Sequence, residues 1–337
     1  MTRTHTPWTH ADIPLLQGRT ALITGTGGLG FETALALAQA GANVVIAGRS
    51  PIKGAAAVAE IERRVPQASV SFELMNLANL GSVERCSDRL KQSLDAVDLL
   101  INNAAVMTPP HRCVTADGFE LQFGTNYLGH FALTAHLLPL LMNSGQARVV
   151  CLSSVAARDG HIHFDDLHFL RGYQPMAAYG QSKLACLMFA LEMQRLSDEL
   201  GWGLMSVAAH PGISRTELLI NGAGRWSVPG MLRRFAWFLF QPAAQGALPT
   251  LYAATAPEAR GGGYYGPDRL SETRGHPAHA RTPHAALDAA ACRRLWAESE
   301  WMTGVCFPRL KAQPSGTARS WLAEALDDRL TVPGPLD

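Results

Sequence analysis

A short apolar run, Thr20-Ala21-Leu22-Ile23, stops at a glycine cluster and is followed by a helical pattern over 31–40. Strand, tight turn, helix is the opening unit of a parallel sheet whenever it repeats, because parallel strands need a crossover between them. Here it repeats. Apolar strand patterns are predicted at 43–47, 69–74, 97–101, 148–152 and 204–209, with helical spacing at 53–64, 83–94, 119–142 and 177–200 between them. The strands are nearly continuous in apolar residues, as expected where both faces of a sheet are covered. The pattern therefore predicts an α/β chain with a doubly wound parallel sheet.

The wider chain fits that fold. It has 337 residues, 47% of them hydrophobic and 17% charged, which suits a soluble globular protein. With 29 basic and 28 acidic residues the net charge is +1, so no concentrated positive field marks a nucleic-acid surface. The six cysteines are scattered without C-x-x-C spacing and read as reduced, buried small hydrophobes of a cytoplasmic protein. No stretch of 18 apolar residues occurs, and the first residues lack the apolar core of a signal peptide, so neither a membrane span nor secretion is expected. We divide the chain into an arm (1–15), one domain (16–310) and a tail of unassigned role (311–337). Within the domain, 217–241 interrupts the rhythm with Trp226, Met231, Phe235, Trp237 and Phe238, and is expected to be an apolar substrate lid.

Gly25-Thr26-Gly27-Gly28-Leu29-Gly30 joins the first strand to the first helix. Glycines there let the backbone approach a pyrophosphate, and the helix N-terminus offers unbonded N–H groups and partial positive charge. The second strand ends Ala47-Gly48-Arg49-Ser50, with no carboxylate for a ribose 2′-hydroxyl. Arg49, with Lys53 a turn later, instead suits a 2′-phosphate, which points to NADP rather than NAD. The alternative is that both are ordinary surface cations.

Tyr179 and Lys183 stand four residues apart at the start of the long helix after the fifth strand, so they share a helical face. An ammonium beside a phenol lowers its pKa and makes it a usable acid/base. Alone, this spacing usually means two surface residues. Here the preceding strand ends Ser153-Ser154, at the carboxyl edge where ligands of such sheets bind.

Taken together, these stretches resemble the short-chain dehydrogenase/reductase family, in its branch with retinol dehydrogenases, WW-domain oxidoreductases and protochlorophyllide reductases. The resemblance runs from about 16 to 306. It includes Asn102-Asn103-Ala104-Ala105, Asn126 in Asn126-Tyr127-Leu128-Gly129-His130-Phe131, Ser154, Tyr179 and Lys183. His210-Pro211-Gly212 with Thr216, Phe164-Asp165-Asp166-Leu167 and Tyr264-Tyr265-Gly266-Pro267 extend it. The resemblance implies Asn126, Ser154, Tyr179 and Lys183 as the catalytic set. Tyr179 would exchange a proton with a carbonyl or alcohol oxygen, Ser154 would bond that oxygen, Lys183 would hold the nicotinamide ribose, and Asn126 would position a relay water. Cofactor contacts would come from Gly25, Thr26, Gly27, Gly28, Leu29, Gly30, Arg49, Asn76, Leu77, Asn103, Ala104, Tyr179, Lys183, Pro211, Gly212, Ile213 and Thr216. No metal is expected.

Three positions depart from the family pattern. The glycine loop is one residue shorter, Asn76 replaces an aspartate, and Ala105 replaces a glycine. His161, His163 and His168 cluster near the active-site loop without a zinc spacing and are read as loop polarity or substrate contacts. Met188, Phe189 and Met193 are read as packing or a subunit contact, the resemblance implying a homodimer or homotetramer through the two long helices. The expected activity is redox interconversion of a ketone or aldehyde and an alcohol on a bulky, fairly apolar small molecule. The alternatives are reduction of a C=C bond and a non-catalytic NADP-binding regulator, although a sensor need not keep all four catalytic residues.

Overall fold

The structure, a computed structural model, describes residues 7–214 and 241–309. The expected lid, apart from Gln241, Thr216 of the expected cofactor contacts, and the tail all lie outside the described residues.

Strand β1 (Thr20–Thr24) pairs in parallel with β2 (Asn43–Gly48) on one side and β4 (Leu99–Asn102) on the other. The sheet grows outward to β3 (Val70–Leu74) beyond β2, and through β5 (Arg148–Leu152), β6 (Met205–Ala209) and β7 (Tyr264–Arg269) beyond β4. β8 (Arg274–His279) closes that edge antiparallel to β7, giving an eight-stranded sheet in the order 3-2-1-4-5-6-7-8. The order reverses at β1/β4, so a crevice opens beyond the carboxyl ends of those strands.

The period-2 alternation of a strand sends Ala21 and Ile23 to one face and Leu22 to the other, and all three are fully buried. Helices α1 (Gly28–Gln39), α2 (Pro51–Arg64) and α6 (Ala243–Thr255) cover the first face. Helices α3 (Leu80–Ser93), α4 (Gly129–Asn143), α5 (Pro175–Leu200) and α7 (Ala289–Thr303) cover the second. Local signals fix several ends. Ser50 caps α2 by accepting from the Lys53 N–H, with Pro51 at the first helical position, and α5 ends on left-handed Gly201 (φ 72°).

The six strands expected from the sequence form. β7 and β8 were not expected as strands, and their Gly266, Pro267, Gly275 and Pro277 are residue types that strands disfavour. Pro267 and Pro277 face each other in register at the sheet's edge, where a missing N–H is tolerated. Of the two readings of Met188, Phe189 and Met193, packing or a subunit contact, the structure shows packing. Met188, Phe189 and Met193 are buried within the chain itself. Trp296 of α7 packs on Phe189 and Phe131, with ring centroids 5.5 and 5.1 Å apart, and Phe307 packs on Trp296 at 4.6 Å. Helix α7 of the same chain covers this face. Trp8 of the arm lies edge-on to Tyr252 of α6, centroids 5.5 Å apart.

Candidate active site

The glycine loop is the first part of the site. Gly25 (φ 100°) and Gly28 (φ 54°) adopt left-handed backbone that side chains disfavour. A Cβ on Gly30 would lie 2.5 Å from the Gly25 carbonyl and 2.6 Å from Asn103 Nδ2, so only glycine closes this shorter loop. Thr26 packs instead on the end of β2, its methyl 2.8 Å from where a Gly48 Cβ would be. Leu29 points back towards α6, its Cδ2 3.0 Å from a Cβ built on Gly246. Gly27, the N-cap of α1, has no side-chain cap, and the space beyond its Cα is open. A helix start without a side-chain cap, next to open space at Gly27, fits the pyrophosphate of a dinucleotide.

Thr24 connects this loop to the β4 edge. Its Oγ1 accepts from the N–H groups of Asn103 and Ala104, each at 2.9 Å, while Asn103 Nδ2 donates to the Thr24 carbonyl at 2.7 Å. The guanidinium of Arg49 is exposed beyond β2 and makes no hydrogen bond or ion pair among the described residues. Asn76 Oδ1 turns back to accept from the Ala78 N–H at 3.1 Å, and Leu77 is buried where Gly129 approaches its carbonyl.

The catalytic candidates meet at the same edge. Ser154 caps a short 3-10 turn (Val155–Asp159), and Tyr179 sits in the second turn of α5. A Cβ on Gly160 would lie 2.6 Å from the Gly180 carbonyl, so two glycines allow the serine turn and α5 to touch. Across that contact the Ser154 side chain faces the Tyr179 phenol and favours its ionised form. Burial pushes the Tyr179 phenol up to about 12, only partly offset by Ser154. This is opposite to the lowering expected from Lys183. The Lys183 ammonium donates to the Leu152 carbonyl at 2.9 Å, so its charge is held at the strand end.

Residues 123–128, ahead of α4, wind as a π-helix, with the Gly129 N–H bonded five residues back to Gly124. Such wide turns occur mostly at functional sites. The Asn126 side chain spans the gap between two elements. Its Oδ1 accepts from Val106 N–H at 2.7 Å, and its Nδ2 donates to the Val106 carbonyl at 2.9 Å and to Ser182 Oγ at 3.0 Å.

His130 was not singled out in the sequence, although it lies in the same run four residues after Asn126. Its Nδ1 is 2.8 Å from the Asn126 carbonyl, which can only accept, so Nδ1 carries the proton. Nε2 must then accept from Thr24 Oγ1, also at 2.8 Å. Burial drives the ring down to about 4, so it is neutral near pH 7. One neutral imidazole thus connects Thr24, the strand residue just before the glycine loop, to the π turn carrying Asn126. The remaining expected histidines do not converge. His168 stacks on Phe119 (5.4 Å) while His161 Nδ1 faces the Asp159 carbonyl (3.1 Å), and no metal-binding cluster forms among the described residues.

The family model for short chain dehydrogenases matches residues 19–224. The chain belongs to that family. It is 40% identical to mouse retinol dehydrogenase 13 over 296 residues, 86% of this chain and 85% of that protein. It is 39% identical to mouse polyprenol dehydrogenase over 298 residues, covering 87% and 86% of the two chains. These likenesses place it in the retinol-dehydrogenase-like branch, among oxidoreductases. A solved protein from Mycobacterium paratuberculosis superposes with a TM-score of 0.74 at 38% identity, covering 90% of this chain and all (100%) of its own. A short chain dehydrogenase from Shigella flexneri, solved with NADP, shares the fold at 22% identity and TM-score 0.58, over 74% of this chain and 97% of its own. Among the described residues no helix is long and apolar enough to cross a membrane.

Proposed function

We propose that this short-chain dehydrogenase uses NADP(H) to interconvert an aldehyde or ketone and an alcohol on a bulky, apolar small molecule, with Tyr179 as the general acid/base. The observation that carries the reading is that Ser154 and Tyr179 come together at the carboxyl edge of the sheet, with Lys183 bonded to the end of the same strand and an uncapped glycine loop on the same edge. The names of the retinol and polyprenol dehydrogenases support an alcohol/carbonyl couple and a long apolar substrate.

When bound, a nicotinamide cofactor supplies or takes up the hydride. Gly25, Thr26, Gly27, Gly28, Leu29 and Gly30 would hold its pyrophosphate, with Asn103 and Ala104 lining the next strand end. Asn76 and Leu77 would lie towards the adenine, and Pro211, Gly212, Ile213 and Thr216 towards the nicotinamide. Arg49, exposed where an NAD site would carry an acid, would pair with a 2′-phosphate. Tyr179 transfers the proton to or from the substrate oxygen, and Ser154 donates a hydrogen bond to that oxygen. Lys183 stands ready to leave the Leu152 carbonyl for the cofactor ribose and then to lower Tyr179. Asn126 positions the backbone around it and a proton-relay water.

A phenol whose pKa lies well above neutrality holds its proton, so Tyr179 is set to act as an acid. Reduction therefore needs the protonated form, present below the Tyr179 pKa, and is expected to fall as pH rises through it. Oxidation needs the deprotonated form and is expected to climb over the same range. The direct test is fluorescence titration with NADPH and NADH, followed by assays with retinal and a short polyprenal across pH. NADPH is expected to bind more tightly, and Arg49→Ala to remove the preference, a loss of roughly tenfold or more for one charge-assisted bond. Tighter NADH binding, or no reduction of any aldehyde, would contradict the proposal.

A further inference from the structure

Three successive non-glycine residues, Leu270, Ser271 and Glu272, hold φ values of 49°, 55° and 64° in the turn between β7 and β8. Left-handed backbone of this kind persists only where its surroundings over-determine it, and such outliers gather at functional sites. Here the surroundings are the turn capped by Ser154 and the segment that follows β6. Arg158, on the turn capped by Ser154, donates to the Ser271 carbonyl at 3.0 Å and pairs with the Glu272 carboxylate. His210, at the end of β6, places Nε2 3.0 Å from the same carboxylate, whose other oxygen accepts from the Arg281 N–H at 3.0 Å.

The hydrogen bonds decide the state of the His210 ring. Gly212 N–H donates to His210 Nδ1 at 3.2 Å, so Nδ1 is unprotonated and the neutral ring carries its proton on Nε2, directed at Glu272. Burial lowers the His210 pKa, keeping the ring neutral, and the His210 bond is the chief reason Glu272 is held down near 2. β7 is built around this ring. A Cβ on Gly266 would lie 2.0 Å from Nε2, and the Tyr264 ring packs at 5.2 Å while its hydroxyl donates to the Ser154 carbonyl at 3.4 Å. The turn also grips the segment beyond His210 directly. Ile213 N–H donates to the Thr273 carbonyl at 2.8 Å, and left-handed Gly212 (φ 63°) approaches that carbonyl too closely for any Cβ, at 2.3 Å.

We propose that Glu272 is a positioning residue, whose carboxylate fixes the His210 tautomer and ties Pro211–Ile213 to the Ser154 turn, so that both flanks of the reacting oxygen are held in register. The inference rests on the reading of Ser154, Tyr179 and Pro211–Ile213 given above. Without the carboxylate, the proton on His210 is free to move to Nδ1, and the Gly212 N–H then loses its acceptor.

The test uses the full chain with ¹⁵N-labelled histidine, comparing wild type with Glu272→Gln, Glu272→Asp and Arg158→Met. Glu272→Gln is expected to bind NADPH as the wild type does, to shift the His210 nitrogen signals towards an Nδ1-protonated population, and to lose roughly 10- to 100-fold in kcat for retinal reduction, the scale of a small misplacement. Glu272→Asp is expected to restore part of both. Arg158→Met, which cuts the other arm of the clamp, is expected to lower kcat with the His210 signals unchanged, and serves where Glu272→Gln does not fold. Wild-type kcat in the folded variants would overturn the proposal. So would kcat, NADPH affinity and thermal midpoint falling together with an unchanged His210 tautomer. The nitrogen signals and the NADPH titration read the clamp even if no aldehyde is reduced, so failure of the functional reading is distinguishable from failure of the clamp.

Discussion

His130 shows how much one ring can determine at the residue scale. Its Nδ1 proton goes to the Asn126 carbonyl and its Nε2 accepts from Thr24, so protonating Nε2 breaks the bond to Thr24. The folded-state pKa is depressed to about 4 from an ordinary 6.5. The stability this contributes is therefore present above 6.5 and lost as pH falls through 4. A His130→Gln variant is expected to be less stable at pH 7, by about 1–3 kcal/mol for the buried partners it strands. It is also expected to lack this part of the acid-side slope, which urea denaturation at several pH values would reveal. An unchanged slope in the variant would contradict the assignment. From the sequence, spacing and a strand end singled out Tyr179, Lys183 and Ser154, and the family resemblance added Asn126. His130 was within reach too, four residues beyond Asn126 on one helical run. Glu272 was not, since it meets His210 across 62 residues through a hairpin whose strands are rich in Gly and Pro.

The glycine loop and α7 carry the predictions at the scale of elements. A Gly30→Ala methyl would press on the Gly25 carbonyl and Asn103. Overpacking of this kind costs about 1–3 kcal/mol of stability, so the thermal midpoint is expected to fall by several degrees and NADPH affinity by about tenfold; titration and melting on one sample would check it. Helix α7 seals the α4/α5 face through Trp296, which is 5% exposed, and Phe307. Trp296→Ala is expected to destabilise the protein by about 3–5 kcal/mol, measurable as a lower urea midpoint at unchanged slope. A neutral effect would mean that the face is not sealed by this helix. Periodicity found β1 to β6 and the long helices because most of them bury an apolar run or stripe, the edge strand β3 excepted. It could not say what α5 packs against, since Met188, Phe189 and Met193 look the same whether their partner is another subunit or helix α7 of the same chain.

For the whole molecule, parallel pairing determines where chemistry can occur. β1, β4, β5 and β6 run the same way, so Thr24, Asn102, Leu152 and Ala209 end at one edge, and the segments after them supply the glycine loop, Asn103, Ser154 and His210. The strands need only be apolar, and the edge follows from their order. The central claim is that Tyr179 moves the proton there. It is tested most directly by Tyr179→Phe, which keeps the ring packing and removes only the hydroxyl. Retinal reduction is followed under single-turnover conditions with NADPH bound. The account predicts wild-type NADPH affinity with turnover lowered by roughly 10²- to 10⁴-fold, the usual worth of a general acid. A variant that binds NADPH and still reduces retinal at close to the wild-type rate would contradict it.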